Sequence, residues 1–207
     1  MRLYFVRHGE SEANLLHEFS NRGLKHGLTV KGKQQAHALA QSLRSVPVTA
    51  LFSSPLLRAR QTAEILAQEL GVAHQVTDAL REFDCGLLEG KSDADSWQRY
   101  WEVSDAWLSR HEWEQRLERG ESFVDIQQHF LPFVDQMLHA YGTSASAVVL
   151  VGHGGTYRCM LPLVLRNIDF RFSVEHGMSH TTAIVAELTP EGLVCLMWGE
   201  TVLGALS

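Results

Sequence analysis

Residues 147–151 read AVVLV and end at once in Gly152-His153-Gly154-Gly155. A short run that is apolar at every position has no face to offer water, so it marks a strand buried on both sides. Such a strand needs helices above and below its sheet. The rest of the chain supplies them. Residues 3–6 form a second apolar run, and the β-prone residues 48–52 a third. Residues 32–43 carry Ala36, Leu39, Ala40 and Leu43 at helical spacing, and residues 57–70 make a second helix stopped by Gly71. Ser122 and Asp125 form a capping-box pattern at the start of a helix that runs to Tyr141, with Phe123, Ile126, Phe130 and Val134 in its apolar stripe. Residues 72–76, 181–188 and 193–198 complete the strands, with Pro190-Glu191-Gly192 turning between the last two. The expected class is α/β: a three-layer α/β/α arrangement with a mostly parallel central sheet. Residues 1–207 are expected to form a single domain.

Residues 83–120 interrupt this pattern. They hold Trp97, Tyr100, Trp101, Trp107 and Trp113 among many charges, with little strand alternation. A small helical cap insertion is expected there.

Charge narrows the function. The chain has 18 basic and 24 acidic residues, a net charge of -6, which gives no support to a nucleic-acid or anionic-membrane partner. An acidic protein that binds an anion must gather a few cations in one cleft. No apolar run reaches the length of a membrane span. The start, Met1-Arg2-Leu3-Tyr4-Phe5-Val6, lacks the long apolar stretch of a signal peptide and reads as a first strand. Cys85, Cys159 and Cys195 are odd in number and widely spaced, as expected of reduced thiols in a cytoplasmic protein.

Three of the expected strands end in unusual polar groups. The first ends in Arg7-His8-Gly9-Glu10-Ser11, the second leads through Ser53-Ser54-Pro55 to Arg58, and the 147–151 strand ends at His153. Ligand crevices of open α/β sheets lie at the carboxyl ends of the strands, so the three clusters should converge. Two arginines match phosphate oxygens with their planar forks, and helix N-termini after glycine turns add N–H donors. A neutral imidazole with one bare nitrogen is a competent nucleophile at phosphorus, and nearby arginines disfavour its protonated form. Fixed cations can stabilise the charge on the equatorial oxygens, so the chemistry requires no metal and no cofactor. His111-Glu112 is not followed by a histidine at helical spacing, so the zinc motif H-E-x-x-H is absent.

These residues resemble a known family. Arg7-His8-Gly9-Glu10-Ser11 with Asn14 is similar to the signature of the histidine phosphatase superfamily, the phosphoglycerate mutase-like proteins. Leu28-Thr29 with Gly32 and Gln35-Ala36, Ser53-Ser54-Pro55-Leu56 with Arg58-Ala59, Leu80-Arg81-Glu82 with Gly86, and Gly152-His153-Gly154-Gly155 resemble its further blocks in order. The resemblance implies that His8 becomes a transient phosphohistidine. It implies that Arg7, Arg58 and His153 hold the phosphoryl oxygens, with Asn14 and Gly154 at the phosphate pocket. Glu82 would protonate the leaving oxygen and then activate water, with Asp84 and Glu89 close by in sequence as rival carboxylates. Two stretches depart from the pattern: Gly177-Met178-Ser179-His180 matches nothing before the late strand, and residues 19–25 lack the tryptophan of the glycerate mutases.

Three activities fit these residues. The first is a phosphatase for a small phosphorylated metabolite, favoured by the length of the chain and by Gly120-Glu121-Ser122-Phe123 at a helix start. The second is a phosphoglycerate mutase that keeps water from the same intermediate. The third is an idle member that only binds phosphorylated ligands. An edge strand or the cap could pair two chains into a homodimer, and nothing in the sequence requires it.

Overall fold

The structure, a computed structural model, describes residues 1–143 and 145–203. Seven strands form one sheet: β1 (Arg2–Arg7), β2 (Val48–Ser53), β3 (His74–Val76), β4 (Ala147–Gly152), β5 (Ala183–Thr189), β6 (Gly192–Trp198) and β7 (Thr201–Val202), in the order β3-β2-β4-β1-β5-β6-β7. β3, β2, β4 and β1 run parallel to one another. From β5 onward the pairing is antiparallel, so the expected parallel sheet carries an antiparallel extension along one side.

The helices are α1 (Glu12–Leu16), α2 (Val30–Leu43), α3 (Leu57–Leu70), α4 (Ala94–Leu108), α5 (Phe123–Tyr141), α6 (Gly154–Val164) and α7 (Phe170–Glu175). Side-chain alternation along the strands sorts them into layers. Leu3, Phe5, Val148 and Leu150 face a core with Phe130, Tyr157 and Met160 of α5 and α6. Tyr4, Val6, Val149 and Val151 face the other core, with Ala40 and Leu43 of α2 and Ala59, Ala63 and Leu66 of α3. Every residue of β4 is buried, as its uniform apolarity requires.

Local signals set the helix ends. Thr29 caps α2 by accepting from the Gly32 N–H, so the helix begins two residues before the expected start. Gly71 closes α3 in the left-handed region at φ 68°. Ser122 and Asp125 make the reciprocal bonds of a capping box on α5. β5 starts at Ala183 rather than at residue 181, because Thr181 lies at φ 58° and breaks the extended run. A β-branched residue there is an outlier that its surroundings must hold. The Thr181 N–H is bonded to the Arg7 carbonyl at 3.0 Å, which ties this turn to the end of β1.

The expected insertion at 83–120 is helical in α4 and in one short 3-10 turn at Gly86–Leu88; the remainder is turns and irregular chain. Its aromatic residues divide between two tasks. Trp107 is 1% exposed and packs with Phe83 and Phe123, whereas Trp101 is 49% exposed.

Candidate active site

The parallel register brings the chemistry together. Arg7 at the end of β1 pairs with Gly152 at the end of β4, and Ser53 at the end of β2 pairs with Val151. The polar turns after all three strands therefore open on one side of the sheet, above a cavity of about 370 Å³ lined by Arg7, His8, Asn14, Arg58 and Glu82 among others. The turn after β1 is tight. A Cβ on Gly9 would lie 2.5 Å from the Gly32 carbonyl oxygen, so only glycine permits this approach to α2.

His8 is buried, and its Nδ1 lies 2.7 Å from the Gly9 carbonyl oxygen. A carbonyl can only accept, so Nδ1 carries the hydrogen and Nε2 carries the lone pair. Burial first, then the charges of Arg58 and Arg7, holds the imidazole well below its usual pKa and keeps it neutral. Arg58 donates from Nε to that Nε2 at 3.0 Å.

Arg58 sits in the first turn of α3 and is 6% exposed. Its fork is fixed by three acceptors: His8 Nε2, the Ser20 carbonyl at 2.6 Å and Asn21 Oδ1 at 3.4 Å. Burial lowers its pKa to about 10, which leaves it charged at neutral pH. Arg7 donates to the Met178 carbonyl and stands 3.3 Å from His180 Nε2. Arg7 and Arg58 thus share a site with three imidazoles held neutral, His8, His153 and His180.

His153 is fully buried, its ring 5.1 Å from that of His8. The Ser54 hydroxyl accepts the Leu56 N–H, so its own hydrogen is free for His153 Nε2, 2.8 Å away. That assignment leaves a hydrogen on His153 Nδ1, a buried atom with no partner among the described residues. A phosphoryl oxygen is the kind of acceptor this donor lacks. Burial, followed by the Arg58 charge, holds the pKa of His153 well below the ordinary histidine value.

Glu82 is held at the N-terminus of α6. Its Oε1 accepts from the Thr156 N–H at 2.7 Å and the Thr156 hydroxyl at 2.8 Å, and its Oε2 from the Gly155 N–H at 3.0 Å. The carboxylate has about four acceptor positions, and Oε2 is the oxygen with capacity left for a substrate or water hydrogen. Asp84 and Glu89 do different work: Asp84 pairs with Arg22 at 2.8 Å, and Glu89 accepts the Asn21 N–H at 2.9 Å. Both shape the loop that presents Ser20 and Asn21 to Arg58. Of the three carboxylates, Glu82 is the one that lines the cavity.

Asn14 spends its Oδ1 on the Ser11 N–H and hydroxyl, at 3.0 and 2.8 Å, and leaves its amide nitrogen for the cavity it lines. Gly154 opens α6 beside Arg7, so its backbone N–H lies at a helix N-terminus facing the same cavity. Of the residues singled out by sequence, Arg7, His8, Asn14, Arg58, Glu82 and Gly154 line this cavity, and His153 lies beside it against His8.

Several further residues were not foreseen. His180 Nε2 lies 3.1 Å from Asn14 Oδ1 as well as close to Arg7, and burial lowers its pKa to about 4. Ser20 and Asn21 orient Arg58, and Met178 orients Arg7 through its carbonyl. Arg158 lies with its guanidinium 5.4 Å over the Trp101 ring. His180 and Asn21 fall in the two stretches that departed from the family pattern. The signal within reach was physical: a buried arginine needs acceptors, and carbonyl-bearing loops near it must provide them.

Known proteins resemble this chain over most of its length. The model of the histidine phosphatase superfamily, branch 1, matches residues 3–201. The 6-phosphofructo-2-kinase/fructose-2,6-bisphosphatase 1 of Mus musculus is 31% identical over 195 residues, which is 93% of this chain; the chain spans only 38% of that relative's length. A probable phosphoglycerate mutase GpmB of Salmonella arizonae is 32% identical over 168 residues, 80% of this chain and 75% of the relative. Among solved structures, Bacillus stearothermophilus YhfR superposes with a TM-score of 0.81 at 26% identity, covering 97% of each chain.

Proposed function

The chain belongs to the histidine phosphatase superfamily, and from that premise we propose that it is a metal-independent phosphatase of small phosphorylated metabolites. The observation that carries the proposal is the state of His8. Its Nδ1 is pinned to the Gly9 carbonyl, and its Nε2 carries a lone pair that accepts from Arg58 beside a cavity lined by Arg7, Arg58 and Arg158.

In the first step His8 Nε2 attacks phosphorus and the bond from phosphorus to the ester oxygen breaks. For this step Glu82 must carry a proton on Oε2, which it gives to the leaving oxygen, so an alcohol departs and a carboxylate remains. Phosphoryl oxygens replace His8 Nε2 as acceptors for Arg58 and take the unpartnered hydrogen of His153. In the second step a water attacks phosphorus, its proton passes to Glu82, and the phosphorus–nitrogen bond breaks. Phosphate leaves and His8 is neutral again. Arg7 and Arg58 hold charge where the transition state develops it, with little reorganisation because both are already fixed.

A mutase is the second reading, favoured by the similarity to GpmB. It differs in returning the phosphoryl group to a bound product instead of to water. One experiment separates the readings. The protein is incubated in chelator with a panel of phosphomonoesters that includes 3-phosphoglycerate with and without its bisphosphate. Free phosphate that survives the chelator and vanishes in His8→Ala is expected. Release that persists in His8→Ala would refute the mechanism. Isomerised phosphoglycerate with little free phosphate would decide for the mutase.

A further inference from the structure

The cavity has a lining of two chemical kinds. Arg7, His8 and Arg58 supply its polar lining; Phe19, Trp97, Tyr100, Trp101 and Trp198 supply its aromatic lining. We propose that this aromatic lining is a stacking site for a flat ring carried by the leaving alcohol, with Trp101 as its principal platform. The inference rests on the phosphomonoesterase reading and names the substrate class for it.

Helical spacing builds the wall. Trp97, Tyr100 and Trp101 stand at i, i+3 and i+4 on α4 and so share one face. Their rings are in mutual contact: Trp97 and Trp101 are 6.1 Å apart with 30° between planes, and Tyr100 and Trp101 are 4.9 Å apart. Phe19 extends the surface, 4.2 Å from Trp97. The wall is held in place before any ligand arrives. Trp97 donates its indole N–H to the His17 carbonyl at 2.9 Å, and the backbone of Phe19 is bonded to Lys91 and Gly90 at 2.9 and 2.8 Å. Rigid aromatic surface of this kind loses little entropy when a ring lies on it.

Trp101 differs from the tryptophans around it. Trp97, Trp107 and Trp198 each spend the indole N–H on a backbone carbonyl. Trp101 has no hydrogen-bond partner among the described residues and is 49% exposed, although it lines the cavity. It is therefore the aromatic side chain of the wall that does least for the fold. Arg158 fixes its plane from one side through a cation–π contact of 5.4 Å. The Arg158 guanidinium lines the same cavity and interacts with the Tyr100 side chain, so it ties two rings of the wall together. Flat rings gain from such a wall through offset stacking, which a saturated ring of equal size cannot match.

Binding of non-hydrolysable phosphonates tests this without turnover. Affinities of benzylphosphonate, cyclohexylmethylphosphonate and ethylphosphonate are measured by calorimetry on the intact protein, on Trp101→Ala and on Trp101→Phe. Benzylphosphonate is expected to bind about tenfold tighter than ethylphosphonate, a typical gain for one stacked ring, and several-fold tighter than its saturated counterpart. In Trp101→Ala the preference should fall to about twofold or less while ethylphosphonate binding stays unchanged, which also reports an intact fold; Trp101→Phe should retain most of it. Equal binding of the flat and saturated rings, or a preference undiminished in Trp101→Ala, would overturn the stacking site and leave the phosphatase reading standing. Failure of every phosphonate to bind would overturn both.

Discussion

Replacing Glu82 by Gln tests whether this carboxylate moves protons or merely braces α6. The side chain keeps its shape, so the change falls on hydrogen bonds. The amide oxygen belongs on the Thr156 side, where two donors already point at Oε1 within 2.8 Å. The amide nitrogen then faces the Gly155 N–H across the 3.0 Å now spanned by Oε2, two donors in opposition. Leaving that N–H unsatisfied costs about 1–3 kcal/mol of stability. The alternative orientation opposes two donors instead of one and is worse. The catalytic loss should be larger, about 10²–10⁴-fold, because the leaving alkoxide no longer receives a proton. A structural defect and a chemical one separate by leaving group. Nitrophenolate departs as an anion near neutral pH and needs no acid, whereas an alkoxide does. With kcat/KM reporting the step that forms the phosphohistidine, Glu82→Gln should lose about 10²-fold or more on an alkyl phosphate and only a few-fold on p-nitrophenyl phosphate. Equal losses on the two substrates would refute the assignment of Glu82 as the acid and make it a brace for α6.

Other perturbations have defined outcomes. In Gly155→Ala the new Cβ would stand 2.7 Å from Glu82 Oε1 and 2.9 Å from Oε2, so the carboxylate must shift, and kcat should fall about 10²-fold with the protein still folded by circular dichroism. His180→Ala removes the side chain between Arg7 and Asn14 and should raise KM about 2–10-fold with a smaller effect on kcat; an unchanged KM would exclude His180 from phosphate binding. Stability should fall on acidification, because burial holds His8 and His153 well below the unfolded-chain value of 6.5 and lowers His180 to about 4. Between these values the unfolded chain binds more protons than the folded one, so stability is complete above 6.5 and is lost as pH falls from there toward the folded values. A urea midpoint that does not move between about pH 7.5 and about pH 5 would contradict the burial of neutral histidines.

How much of this site could be read from the chain depended on whether its cause was local. His8, Arg58 and His153 stand just after apolar runs, and a polar, glycine-bearing turn at the end of a strand is a pattern visible within ten residues. Parallel register then brings those turns together whatever the exact strand order, so convergence follows from the fold class. Glu82 was harder, since Asp84 and Glu89 are the same chemical type a few residues away. The choice is made by the Gly155 and Thr156 N–H groups at the start of α6, more than seventy positions along the chain.

His180 shows where local pattern fails altogether. Its place is fixed by the antiparallel pairing of β5 with β1, in which Val6 faces Ala183. That pairing sets the residues just before β5 beside those just after β1, and the positive φ of Thr181 turns the chain there against the end of β1, bonded to Arg7. Apolar periodicity carries the face a strand presents but not the direction in which it pairs. The parallel strands therefore deliver His8 and the two arginines by class alone, while the antiparallel side of the sheet delivers His180 and the Met178 carbonyl by register. Changes on that side should accordingly alter how Arg7 is held and how tightly phosphate binds, and leave the neutral, hydrogen-bonded state of His8 intact.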